Sequence, residues 1–378
     1  MRKRTFSGAA AVAAALTLIG GTAATAATND PLRDQEWGLD QVHAEQAWTT
    51  STGAGSVVAV VDSGVDLSHP DLRANLVPGV TTIDCPKGQT TCGNGDWKGM
   101  DGVAQSADSH GTHVSGTIAA VTDNGIGIAG VAPDAKIMPI KSLEDGSGAF
   151  EDIAVGIRYA ADHGADVVNL SLGALPGLQA LTLTGLESSV TDAIAYATEK
   201  GVLVVAAAGN ESAPACDTPS FEPGALCVTA TTREETTTWY SNEAVKPDLM
   251  AVAAPGGAGL LFCEDDIVST VPVGTGSAGC GQSDYDYYAG TSMATPHVAG
   301  VAALLYAQGR DRGNVLDALI DTARTPALGT GLYTTDYGHG IVDAAAAVAV
   351  PVASATGSDG GPTTGGSGHG KGGKKKNG

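Results

Sequence analysis

The chain has 378 residues, 43% of them hydrophobic, enough to bury the core of one large α/β domain with short appendages. Acidic residues outnumber basic ones by 41 to 20, and the formal net charge of −21 argues against binding of nucleic acid or an anionic membrane by the folded body. No segment after the first few tens of residues is long and apolar enough to span a bilayer.

The N-terminus carries Arg2, Lys3 and Arg4, then an uncharged stretch over 9–21, then small residues ending in Ala24-Thr25-Ala26. That is the layout of a secretory signal peptide, so 1–27 is expected to be removed on export to the extracellular medium. The three positive charges go with it, which takes the net charge from −21 to −24. After export the six cysteines sit in an oxidising compartment, and their clustering suggests three local bridges: Cys85 with Cys92, Cys216 with Cys227, and Cys263 with Cys280.

Between 56 and 350 short, branched, continuously apolar runs alternate with helical patterns. Runs of this kind mark parallel strands buried on both faces and joined by crossover helices. The clearest are 56–62, 137–142, 167–172 and 202–208. Between the second and third, 151–163 carries Ile153, Ile157 and Ala160 at helical spacing, acidic residues in the first turn and Gly164 at the C-cap. The expected fold class is therefore α/β, a doubly wound, mostly parallel β-sheet flanked by helices, in a single catalytic domain over 28–350. Ligands of that architecture sit at the carboxyl ends of the strands. From 351 to 378 Gly, Ser, Thr and Lys dominate, a composition that does not fold, and Lys374, Lys375 and Lys376 offer at most a weak contact with an anionic cell wall.

Three Gly-rich segments carry the chemistry. In Val60-Val61-Asp62-Ser63-Gly64 a buried strand ends in a carboxylate that alone could serve as a turn cap. In Ser109-His110-Gly111-Thr112-His113 two histidines three apart share a helical face, as a metal pair would. In Gly290-Thr291-Ser292-Met293-Ala294-Thr295-Pro296-His297, Pro296 is expected in the first turn of a helix, which puts Ser292 at or just before its N-terminus. A hydroxyl there is an N-cap, or a nucleophile whose attack creates an oxyanion near backbone N–H donors. Serine attacks at neutral pH only if a base takes its proton, and the base needs a carboxylate to hold its tautomer. Asp62, His110 and Ser292 supply that set.

These segments resemble the three active-site motifs of the subtilisin-like serine peptidases, and the similarity runs over about 29–348. The resemblance implies an endopeptidase acting on protein or peptide substrates as a monomer, with Asp62, His110 and Ser292 as triad. It also implies Asn210, in Ala206-Ala207-Ala208-Gly209-Asn210, as the side-chain donor of the oxyanion hole, with the backbone N–H of Ser292 as second donor. Ser171, Leu172 and Gly173 resemble the family's segment that pairs with extended substrate, with Ala207, Ala208 and Gly209 as the facing wall. His113 and His297 then fall to structural roles. Asp30, Asp71 and the loop holding Val121, Asn124, Ile126 and Ile128 resemble the ligands of a calcium site, the one cofactor implied. The loop is one residue longer than in the best-known members. No room is left between the signal and Asn29 for a folded pro-region, a departure that points to unaided folding or to the mycosin branch of processing peptidases. Alternatives from other classes are an inactive subtilisin-fold binding protein and an esterase or peptide ligase using the same residues. Glu211 and Asp217, soon after Asn210, either line the first specificity pocket and favour Lys or Arg, or are solvated loop charges.

Overall fold

Each of the four apolar runs becomes a strand of one parallel sheet in the computed structural model, which describes residues 28–174, 188–326, 329–330 and 332–352. They are β1 (Val57–Asp62), β3 (Lys136–Lys141), β4 (Val167–Leu170) and β5 (Leu203–Ala207), and β2 (Val80–Thr81), β6 (Ala225–Thr231) and β7 (Ala251–Pro255) complete the sheet. The strand order is β2-β3-β1-β4-β5-β6-β7, with every pairing parallel. The pleat explains why the runs are apolar throughout. Val58 and Val60 point into one core, and Ala59 and Val61 into the other.

Helices α1 (Trp37–Gln41) and α2 (Ala44–Trp48) precede the sheet, and α3 (His110–Ala119), α4 (Phe150–Asp162) and α5 (Ser189–Glu199) lie between its strands. After it come α6 (Thr291–Tyr306), α7 (Arg312–Thr322) and α8 (Ala344–Ala349). α4 covers one face with α5 as the spacing predicts, Ile153, Ile157 and Ala160 meeting Val190 and Ile194, and Gly164 follows its end with φ of +84°. α6 fills the opposite face, where Val298, Val301, Leu304 and Leu305 pack with Val114 and Ile118 of α3. Each of these aliphatic side chains contributes about 1.5–3 kcal/mol by leaving water. A hairpin of β8 (Ile267–Thr270) and β9 (Tyr285–Tyr288) is fastened to α3, Ser269 and Thr270 donating their hydroxyls to the carbonyls of His113 and Thr112.

One expectation needs correction. Pro296 does not sit in the first turn of α6 but in its second, inside the helix. A proline there leaves the carbonyl four residues back, that of Ser292, without its helical donor. The Ser171 hydroxyl fills the place at 2.8 Å, so the proline is tolerated because a second segment repairs the ladder. Ser292 is consequently the second residue of the helix, among the N–H groups that have no partner within it.

The three local disulfides form as expected. The segment expected as signal peptide, and the tail beyond residue 352, lie outside the described residues. No helix among the described residues is long and apolar enough to cross a membrane.

Candidate active site

The carboxyl ends of β1, β4 and β5 carry Asp62, Ser171 and, three residues beyond the last of these strands, Asn210, and the N-termini of α3 and α6 bring His110 and Ser292 to the same end of the sheet. Asp62 is fully buried, its carboxylate gripping His110 Nδ1 at 2.9 and 3.0 Å. Burial pulls the imidazole pKa down, but the Asp62 charge and hydrogen bond outweigh it and hold His110 above the ordinary imidazole value. With Nδ1–H committed to Asp62, the lone pair available for chemistry is on Nε2. Gly111 lets the start of α3 approach the turn after β1 this closely, because a Cβ there would lie 2.3 Å from the Gly64 carbonyl oxygen.

Behind the pair lies a buried network that sequence reasoning missed. Lys141 is wholly buried and lies opposite Asp62 across the β1–β3 register. Its Nζ donates to the carbonyls of Ser63 at 2.9 Å and Leu143 at 3.0 Å and pairs with Glu144 at 2.6 Å and Asp108 at 3.6 Å. It thus ties the loop after Asp62 to the turn before His110. The available signal was a lysine at the end of an otherwise apolar strand, an arrangement that requires partners.

Ser292 Oγ donates to the Ser171 carbonyl at 3.2 Å, while the Ser171 hydroxyl donates to the Ser292 carbonyl. No hydrogen bond joins Ser292 Oγ to His110 among the described residues. Asn210 is oriented by Thr291, whose N–H and hydroxyl donate to its Oδ1 at 2.8 and 3.0 Å. That fixes Oδ1 as the acceptor and leaves Nδ2 as the donor of the amide. Thr291 was not singled out in the sequence, since nothing local marks it as the holder of a residue 81 positions away.

A hollow of about 860 Å³ opens beside this group. It is lined by His110, Ser171, Leu172 and Gly173 together with Leu143, Phe150 and Ile153. Leu172 packs partly into the core below. Ala207 and Ala208 are buried, and Ala208 spends its N–H on Val228 and its carbonyl on Asp217 and Asn242. Neither lines the hollow.

The other histidines separate from the site chemically. His113 Nε2 faces the carbonyls of Ile267 at 3.0 Å and Asp286 at 3.2 Å, and its ring stacks on Tyr288. Burial pushes its pKa down to about 3, and that of His297, whose Nδ1 faces the Met293 carbonyl, to about 4. His110 and His113 are therefore not a metal pair.

The residues matched to a calcium site are linked by hydrogen bonds made through their N–H groups. Asp71 is fully buried, its carboxylate accepting from Asn124 Nδ2 at 2.6 Å, Ile128 N–H at 3.1 Å and Tyr285 OH at 3.2 Å, and its carbonyl accepts from Val121 N–H. Asp30 accepts from the N–H groups of Asp123 and Asn124, and Asn124 Oδ1 from Ile126 N–H. As placed, the Asp30 and Asp71 carboxylates are taken up by N–H and O–H donors of the loop and of Tyr285, and no cluster of three or more His, Cys, Asp or Glu suited to a metal occurs among the described residues. Asn124 presents its N–H to Asp71 here and would have to turn its oxygen inward.

Residues 53–345 match the model of the subtilase family. Thermitase of Thermoactinomyces vulgaris is 38% identical over 307 residues, covering 81% of this chain and 94% of that protein. A thermophilic serine proteinase of Bacillus sp. strain AK1 is 38% identical over 79% of this chain, which spans only 64% of that relative's length. Among solved structures, a protease from Pseudoalteromonas arctica superposes with a TM-score of 0.70 at 34% identity, over 86% of this chain and 99% of the other.

Proposed function

We propose, from the premise that the chain belongs to the subtilase family and is a serine endopeptidase, that it cuts peptide bonds through an acyl-enzyme on Ser292. The observation that carries this reading is the fully buried Asp62 carboxylate holding His110 Nδ1 at 2.9 Å beside a serine in the first turn of a buried helix. The Ser292 hydroxyl leaves Ser171 for His110 Nε2, which takes its proton as Oγ attacks the scissile carbonyl. Asn210 Nδ2 and the Ser292 N–H receive the oxyanion. As the intermediate collapses the C–N bond breaks and His110 returns the proton to the leaving amine. Water then attacks the ester, giving a proton to His110, which passes it back to Ser292 Oγ. A fluorophosphonate tests the reading: it should form one adduct, on Ser292, and abolish peptide hydrolysis. A modified residue elsewhere would sink the assignment.

Replacing Asn210 by Ala is expected to lower kcat about 100- to 1,000-fold with little change in KM. That magnitude comes from the corresponding donor of subtilisin itself. Equal losses in kcat and in ground-state binding would remove Asn210 from the oxyanion role.

The signal-like composition of 1–27 supports export, and the three disulfides suit an oxidising medium. We read the enzyme as exported, acting as a monomer on protein or peptide substrates. Asp30, Asp71, Asn124 and the carbonyls of Val121, Ile126 and Ile128 would hold calcium, which would supply counter-charge to the buried carboxylates and fix the loop. Calcium chelation is expected to lower the thermal midpoint, and Asp71→Asn to cancel that calcium response. A midpoint indifferent to calcium would remove the metal from the reading.

A further inference from the structure

Thr291 orients the Asn210 side chain and receives the Gly209 N–H on its hydroxyl at 3.1 Å. The backbone beyond that point has no helix or strand to hold it, and Asn210, Glu211 and Ser212 are all exposed. Gly209 and Ser212 carry positive φ angles of +108° and +55°, the second in a region that a side chain disfavours. A short exposed turn with so little apolar burial opens at small cost unless particular hydrogen bonds close it.

Asn242 supplies them. It is 1% exposed, and its Oδ1 accepts from the N–H groups of Glu211 at 3.1 Å and Ala213 at 2.8 Å. Its Nδ2 donates to the Ala208 carbonyl at 3.0 Å and to Glu211 Oε2 at 3.1 Å, and its own N–H to the Gly209 carbonyl at 3.0 Å. Both lone pairs and both amide hydrogens of this side chain are thus spent on the turn over 208–213. Glu211 closes the remaining gap, because Oε2, the oxygen that Asn242 fixes, also accepts the Asn210 N–H at 2.8 Å. Only glycine at 209 permits this, since a Cβ there would collide with Asn242 Nδ2 and stand 2.8 Å from Glu211 Oε2.

We propose that Asn242 and Glu211 are positioning residues for the oxyanion donor: they hold the Asn210 backbone while Thr291 holds its side chain. The inference rests on Asn210 being that donor. A donor fixed in advance costs no reorganisation when charge develops on the substrate oxygen, whereas one on a loosened turn must be ordered in the transition state. The ground-state complex does not yet carry that charge, so loosening the turn falls on kcat and leaves KM nearly alone. The loss has a ceiling, which is the loss that Asn210→Ala itself produces.

The test measures kcat and KM on one peptide substrate for Glu211→Ala and Asn242→Ala, each alone and each combined with Asn210→Ala. Alone, Glu211→Ala should lower kcat about 10-fold and Asn242→Ala about 10- to 100-fold, with KM within about twofold of the natural value. Added to Asn210→Ala, either should cost about threefold or less, because there is no longer a donor to misplace. Glu211→Gln keeps an oxygen at the acceptor position and should recover most of the kcat that Glu211→Ala loses. Glu211 is exposed, so its replacement leaves the core intact and decides the question even if Asn242→Ala does not fold. Losses that multiply in full with that of Asn210→Ala, a loss carried by KM, or a Glu211→Gln as impaired as Glu211→Ala overturns this inference alone. An Asn210→Ala enzyme that keeps its kcat overturns the oxyanion assignment, and this inference with it.

Discussion

Ser292→Ala is expected to reduce kcat on a good peptide substrate by about a millionfold, a size set by the same replacement in subtilisin and not by the present geometry. The loss is this large because the hydroxyl is the only atom that forms the covalent bond, so the whole acyl-enzyme route closes with it. What remains is binding and the Asn210 amide, which leave roughly 1,000- to 10,000-fold acceleration over water. His110→Ala added to Ser292→Ala should then cost almost nothing more, since a base has no proton to remove. Stability should barely change, because among the described residues Ser292 Oγ makes one hydrogen bond, to Ser171, worth about 1 kcal/mol. Kinetics on the single and double variants, with a thermal scan, check this. A surviving activity only a few-fold below the natural enzyme would mean that another residue is the nucleophile.

Asp62→Asn should cost about 10,000-fold in kcat while leaving the fold in place. An amide at this position presents N–H to His110 Nδ1, favours the tautomer with hydrogen on Nε2 and so removes the lone pair that should accept the serine proton. The pH profile gives a second, independent signature. In the natural enzyme Asp62 raises the His110 pKa, so the neutral, active imidazole exists above that raised value and activity falls as pH drops through it. Without the carboxylate, burial is the remaining influence and acts downward, so the residual activity should persist to lower pH than in the natural enzyme. An acidic limb that does not move on substitution would count against the Asp62–His110 pair as the titrating unit.

The sequence by itself determined the strands, because a parallel strand covered on both faces must be apolar at every position, and it located α4 from the spacing of Ile153, Ile157 and Ala160. It also placed Asp62, His110 and Ser292 in Gly-rich segments at element ends, and paired the cysteines that stand close together, whereas Asn210 came only from the resemblance to the family. The others are signals of local free energy, readable within ten or twenty residues. What tertiary structure alone decided involves groups brought together from far apart. Pro296 is accepted inside α6 because the Ser171 hydroxyl, 121 positions from Ser292, donates to the carbonyl the proline leaves open. Lys141 is buried because Ser63, Leu143, Asp108 and Glu144 surround it, and Asp217 is buried where its N–H reaches the Ala208 carbonyl and its side chain packs against Gly209. The enthalpy of such pairings is realised only after the chain has closed, so no window along the sequence contains it.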